Sequence, residues 1–109
     1  MTSIAEWLRG NGSVYLAGPS TAEKYSEAAT AESAAVLLRS HGVGVTSPSE
    51  LPTTNRHEQM IALLGCGSVV MLTDWWISRQ ARFERKVALW CDIPVFEWSF
   101  VLAQLAVSE

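Results

Sequence analysis

Apolar residues in this chain fall into two patterns: short continuous runs, and longer stretches where they recur every three or four positions. Val14-Tyr15-Leu16-Ala17, Val43-Gly44-Val45-Thr46, Ser68-Val69-Val70-Met71-Leu72 and Ile93-Pro94-Val95-Phe96 form the first set. Runs this short, bounded by Gly or Pro, predict strands covered on both faces. The second set predicts helices. A short turn at Ile4–Leu8 ends in Gly10-Asn11-Gly12. Ser20-Thr21-Ala22-Glu23 matches a capping box, opening an alanine-rich helix that runs to about Ser40 and stops at His41-Gly42. Further helices are expected from about Thr54 to Leu64, from Arg79 to Cys91 and from Trp98 to Val107.

Strand and helix alternate throughout, which specifies an α/β fold with a parallel sheet and helices on both faces. The expected architecture is a flavodoxin-like (Rossmann-like) three-layer fold with about four strands. The second strand should lie at one edge, and the first and third should be adjacent. Leu16, Val45, Val70 and Val95 should enter the core. Ligands of such sheets bind beyond the carboxyl ends of the strands. Three loops meet there: Gly18-Pro19-Ser20, Ser47 to Leu51, and Asp74 to Ser78.

At 109 residues, with 49% apolar and 17% charged residues, the chain suits one domain over its full length. A net charge of -3 and a pI near 5.3 argue against a nucleic-acid polymer as partner, since no basic stripe exists to neutralise phosphates. Arg79, Arg82, Arg85 and Lys86 form the one basic cluster and read as a solvated helix face. Cys66 and Cys91 lack metal-ligand spacing and are expected to be buried free thiols in a reducing compartment. His41 and His57 fall at a helix end and on a polar helix face, where histidines are usually structural or exposed. No signal-peptide pattern is evident, and no apolar run approaches the ~20 residues of a membrane span. A cytoplasmic protein with no membrane partner, no metal and no cofactor is expected. Neither GxGxxG nor GxxxxGK[ST] occurs, which removes the usual dinucleotide and nucleoside-triphosphate loops.

Glu84 stands out against this background. On the helix after the third strand, Ala81, Glu84, Ala88 and Cys91 share one face. A carboxylate on a stripe of small apolar residues is costly unless it is paired or opens into a pocket. It is either a site residue or a rim glutamate paired with Arg85 or another arginine.

Four segments together carry a family resemblance: Val14-Tyr15-Leu16-Ala17-Gly18-Pro19, Ser47-Pro48-Ser49-Glu50-Leu51, Ser78-x-x-Ala81-x-x-Glu84, and Ile93-Pro94-Val95. In this order they resemble the nucleoside 2-deoxyribosyltransferase superfamily, and most closely its small phage-associated DUF4406 branch. The resemblance runs from about Val14 to Phe96. It implies a flavodoxin-like sheet, a glutamate nucleophile at Glu84, a sugar or phosphate contact at Ser78 and a tyrosine near the nucleophile at Tyr15. It further implies an aspartate handling the base or its proton, for which Asp74 is the candidate. Gly18, Pro19 and Ser20 are expected to line the substrate. One position departs from the pattern. Gln80 stands where family members usually have glycine, which bears on how closely a phosphate can approach.

The implied reaction suits these residue types. Breaking an N-glycosidic bond builds positive charge on the anomeric carbon, which a carboxylate can stabilise and attack. A carboxyl of raised pKa such as Asp74 could protonate the departing base. Trp75 or Trp76 suits stacking on a base, with core or subunit-interface packing as the alternative for at least one of them. The expected partner is a nucleoside or nucleotide small molecule. The alternatives are a module that binds a nucleotide without turnover and an interaction protein that keeps only the fold. The final helix, Trp98 to Val107, is apolar almost all round, which predicts a homodimer or larger assembly using it or the helix carrying Glu84.

Overall fold

The computed structural model describes residues 4–18, 31–47, 55–72 and 75–107. In chain order these hold α1 (Ile4–Gly10), β1 (Val14–Ala17), α2 (Ala31–Ser40), β2 (Val45–Thr46), α3 (Arg56–Leu64), β3 (Ser68–Met71), a 3-10 turn (Trp75–Ile77), α4 (Arg79–Trp90), β4 (Val95–Glu97) and α5 (Trp98–Val107). The four strands form one sheet in the order β2-β1-β3-β4, parallel at every pairing. This is the expected flavodoxin-like arrangement, with the second strand at an edge and the first beside the third. Among the described residues no helix is long and apolar enough to cross a membrane.

Alternation along the strands divides the core between two layers. Val14, Leu16, Val70 and Leu72 pack with Ala5 and Leu8 of α1, Ala34, Ala35 and Leu38 of α2, and Trp98, Val101 and Leu105 of α5. Tyr15, Ala17, Val69 and Met71 face the other way, against Leu63 of α3 and Ala81 and Ala88 of α4. Leu16 and Val70 are core residues, as expected. Val45 and Val95 are only half-buried, because β2 and β4 are the sheet edges and lack a strand on their outer side.

Helix ends explain most boundary differences. At α2, Gly42 takes φ +78°, its N–H donates to Arg39, and the Val43 N–H donates to Leu38 at 3.1 Å. That Schellman turn consumes Val43, so β2 starts at Val45 rather than Val43. α4 closes in the same way through Asp92, at φ 58°, with the Ile93 N–H on the Ala88 carbonyl. The turn ends the buried stripe at Ala88, which leaves Cys91 exposed rather than buried. Cys66 is buried, and both thiols are free. α3 begins at Arg56, capped by the Asn55 side chain, which accepts from the His57 and Glu58 N–H groups. The capping box at Ser20 and Glu23 and most of the Ser47–Leu51 loop lie outside the described residues.

The N-terminal edge of the sheet is pinned by glycine. A Cβ built on Gly67 would lie 1.3 Å from the Asn11 carbonyl oxygen, so the turn entering β3 can pass the turn entering β1 only without a side chain.

Candidate functional site

α4 begins where Ser78, in extended conformation, accepts the Ala81 N–H on its hydroxyl at 3.1 Å. This cap fixes the rotation of the helix and turns Ala81, Glu84 and Ala88 inward. The two alanines let the helix backbone approach the sheet closely. Between them the Glu84 side chain reaches β1, where the Tyr15 hydroxyl donates to Oε2 at 2.5 Å. Tyr15 is fully buried and Glu84 is 2% exposed. The rim-glutamate alternative is thereby excluded. Arg85 points elsewhere, its guanidinium 5.2 Å from the centre of the Trp75 ring.

A second contact reaches Glu84 from its own helix. Gln80 lies one turn earlier, and its amide hydrogen-bonds the carboxyl. The Gln80 Nε2 also donates to Oε1 of Gln59, on α3, at 2.5 Å. Gln59 is buried. Tyr15, Glu84, Gln80 and Gln59 therefore form a chain of polar side chains crossing from β1 through α4 to α3.

Burial dominates the electrostatics. It holds the Glu84 carboxyl above the usual carboxylate value, against the opposing pull of the hydrogen bonds from Tyr15 and Gln80. Among the described residues no cation figures in the groups that set its ionisation. The Tyr15 phenol is pushed well above its ordinary value, first by burial and then by its hydrogen bond to Glu84 and the charge there. Burial also raises the Cys66 thiol, which donates to the Ala62 carbonyl at 3.3 Å. A carboxyl of raised pKa, held by neutral donors, can act as a nucleophile or as an acid.

The remaining expected site residues spread around this chain. Ser78 is buried on the same helix stripe, nearly two turns toward the carboxyl ends of the strands. Gly18 follows β1 and packs on Leu72, just past β3; a Cβ there would lie 2.6 Å from Leu72 Cβ, so glycine allows the two chains to close at the strand ends. Trp75 is half-buried and faces β4, with Arg85 over its ring and its Nε1 3.4 Å from Glu97 Oε1. Pro19, Ser20 and Asp74 lie outside the described residues. Among the described residues no group of three or more His, Cys, Asp and Glu could hold a metal ion. Sequence reasoning missed Gln59. Its signal was its place four residues before Leu63 on the buried face of α3.

A family model described as "Domain of unknown function (DUF4406)" matches residues 12–97. The chain belongs to the DUF4406 family. The DUF4406 match takes in the whole sheet and Tyr15, Gln59, Gln80 and Glu84, and leaves α1 and α5 outside it. No curated protein and no solved structure matches the chain.

Proposed function

We propose that this DUF4406 protein acts on the N-glycosidic bond of a nucleoside or nucleotide, by hydrolysis or deoxyribosyl transfer, with Glu84 as nucleophile. The observation that carries the reading is the buried Glu84 carboxyl, held by the Tyr15 hydroxyl with no cation against it among the described residues. A structural carboxylate at this depth would normally be paired with a positive charge. The motif resemblance to nucleoside 2-deoxyribosyltransferases supplies the substrate class.

In the proposed reaction a Glu84 oxygen forms a bond to the anomeric carbon as the carbon–nitrogen bond breaks. The departing base takes the bonding pair and is protonated by Asp74. Water or a second base then attacks the same carbon and releases the carboxylate. Tyr15 orients the nucleophile through Oε2. Ser78, Gly18, Pro19, Ser20 and Trp75 are the proposed substrate contacts.

The test is release of free base from a panel of deoxynucleosides and their 5′-monophosphates, followed by chromatography. The parent should release base from at least one member, and Glu84→Gln should reduce that release by roughly 10³-fold or more, the cost of losing a covalent route. Release by Glu84→Ala at the parent rate would sink the mechanism.

One observation favours a second reading. Gln80 puts an amide against Glu84 at the position where the resembled family has glycine. A carboxyl engaged in this way suits a module that binds a nucleotide without turnover. Thermal shift with the same panel, in the absence of base release, distinguishes that outcome.

A further inference from the structure

We infer that Gln59 and Gln80 form a neutral amide clamp that positions Glu84, Gln59 acting only through Gln80. The inference rests on the reading of Glu84 as the reactive carboxylate, but its geometry stands apart from any substrate.

An ionised carboxylate only accepts hydrogen bonds, so the Gln80 group facing it must be the NH₂. That same Nε2 donates to Gln59 Oε1 at 2.5 Å. One amide nitrogen carries two hydrogens, enough to serve Gln59 and the carboxyl together. The orientation of both amides follows from Glu84 outward. Without Gln59, the Gln80 side chain keeps its reach but loses its anchor on α3. Gln80 is half-buried and lines a surface pocket of about 140 Å³ with Met60, Arg79 and Phe83.

The clamp and Tyr15 together do what a cation does elsewhere. β1 presents Tyr15 to Glu84, and the turn before β3 brings Cys66 close to that phenol. From α4 the contact is Gln80, with Arg79 lining the outer pocket and Arg85 over Trp75. From α3 the chain of contacts ends at Gln59. Two neutral donors offset part of the desolvation that opposes ionisation, and they leave the anion nucleophilic where an arginine would quench it.

The experiment is a carboxyl ¹³C titration of the full chain labelled at glutamate, with the Glu84 signal assigned by its absence from Glu84→Gln. Gln80→Met keeps the side-chain volume and removes the donor. Its Glu84 midpoint should move up by about one pH unit, the scale of one hydrogen bond to a charged group. Gln59→Met should move it in the same direction by less. The double variant should match Gln80→Met alone, because Gln59 acts on the carboxyl through Gln80. A Glu84 midpoint unchanged in Gln80→Met, with the fold intact by circular dichroism, would overturn the clamp. Additive shifts in the double variant would overturn the relay through Gln80. Should Gln80→Met fail to fold, Gln59→Met decides alone: an upward shift supports the clamp and no shift overturns it. The readout needs no turnover, so an inactive protein with a shifted midpoint retains the clamp while the glycosidic reading fails.

Discussion

The Tyr15 hydroxyl donates to Glu84 Oε2 at 2.5 Å, tying the first strand to the fourth helix across 69 residues of sequence. Both groups are buried, so the bond replaces water that neither can reach. Tyr15→Phe keeps the ring and removes the donor. It should cost roughly 1–3 kcal/mol in urea unfolding at neutral pH, because Glu84 is left with one partner fewer. The alkaline limb tests the same bond. The folded phenol is raised above its usual value near 10, so its contribution is intact below that pH and is lost as pH rises through the folded value. The parent should therefore lose stability from about pH 10 upward, and Tyr15→Phe should show a flatter limb. Parallel limbs would show that the phenol is not held as described.

How much of this was legible in the sequence follows from what each position depends on. Glu84 could be found because its neighbours on the helix face, Ala81 and Ala88, are small and apolar. Its partner Tyr15 came only with the motif resemblance, since spacing does not place a strand residue opposite a helix residue far along the chain. The strand order was legible from alternation and crossover rules. Val45 and Val95 were overrated as core, because an apolar run looks alike on a central and an edge strand. Cys91 was misplaced because Asp92, a non-glycine residue in the left-handed region, ends α4 without the usual glycine signal. The Gln59–Gln80 bond depends on how α3 and α4 meet, which no local pattern encodes.

Glu84 makes the protein's stability depend on pH in an unusual direction. Its folded carboxyl is raised above the ordinary value of 4.5. The native state therefore holds its proton more tightly than the unfolded chain. Its stabilising contribution is fully present below pH 4.5 and is lost as pH rises through the folded value. Glu84→Gln removes that dependence. The stability of Glu84→Gln relative to the parent should rise as pH is taken upward from about 4.5 in denaturant titrations. A difference that stays constant or falls as pH rises above 4.5 would contradict the raised carboxyl.

Gly67 and Gly10 make a matched pair. A Cβ on Gly67 would meet the Asn11 carbonyl oxygen at 1.3 Å and its carbon at 2.6 Å, both backbone atoms. Gly67→Ala must separate the two turns at the N-terminal edge of the sheet, and should cost more than about 3 kcal/mol or abolish folding. Gly10, at the end of α1, has nothing within 4 Å of a built Cβ. Gly10→Ala should be neutral or stabilise by up to about 1 kcal/mol, through helix propensity and a stiffer unfolded chain. Thermal melts of the two variants check the contrast, and equal effects would mean that the Gly67 contact is not close.

Self-association is the proposed use of the β4 side of the molecule. α5 buries Trp98, Val101 and Leu105 and leaves Phe100 and Leu102 exposed. Phe100 stacks on Phe96 of β4 at 6.1 Å. α4 adds Leu89 and Trp90, the latter 88% exposed. A groove of about 520 Å³ runs between them along the edge strand, lined by Trp75, Arg85, Leu89, Phe96, Glu97 and Phe100. An edge strand offers unpaired backbone groups, and this groove carries Arg85 and Glu97, so a second copy related by a two-fold axis can set Arg85 against Glu97 twice. Light scattering at micromolar concentration should give a dimer or larger mass, and a clean monomer near the chain mass of 11.9 kDa would sink the proposal. Phe100→Glu with Leu102→Glu should dissociate the assembly and leave the far-ultraviolet spectrum intact, since both side chains are exposed. Leu105→Glu does not serve this purpose: Leu105 is 2% exposed, and a charge there would unfold the chain before it reported on any contact.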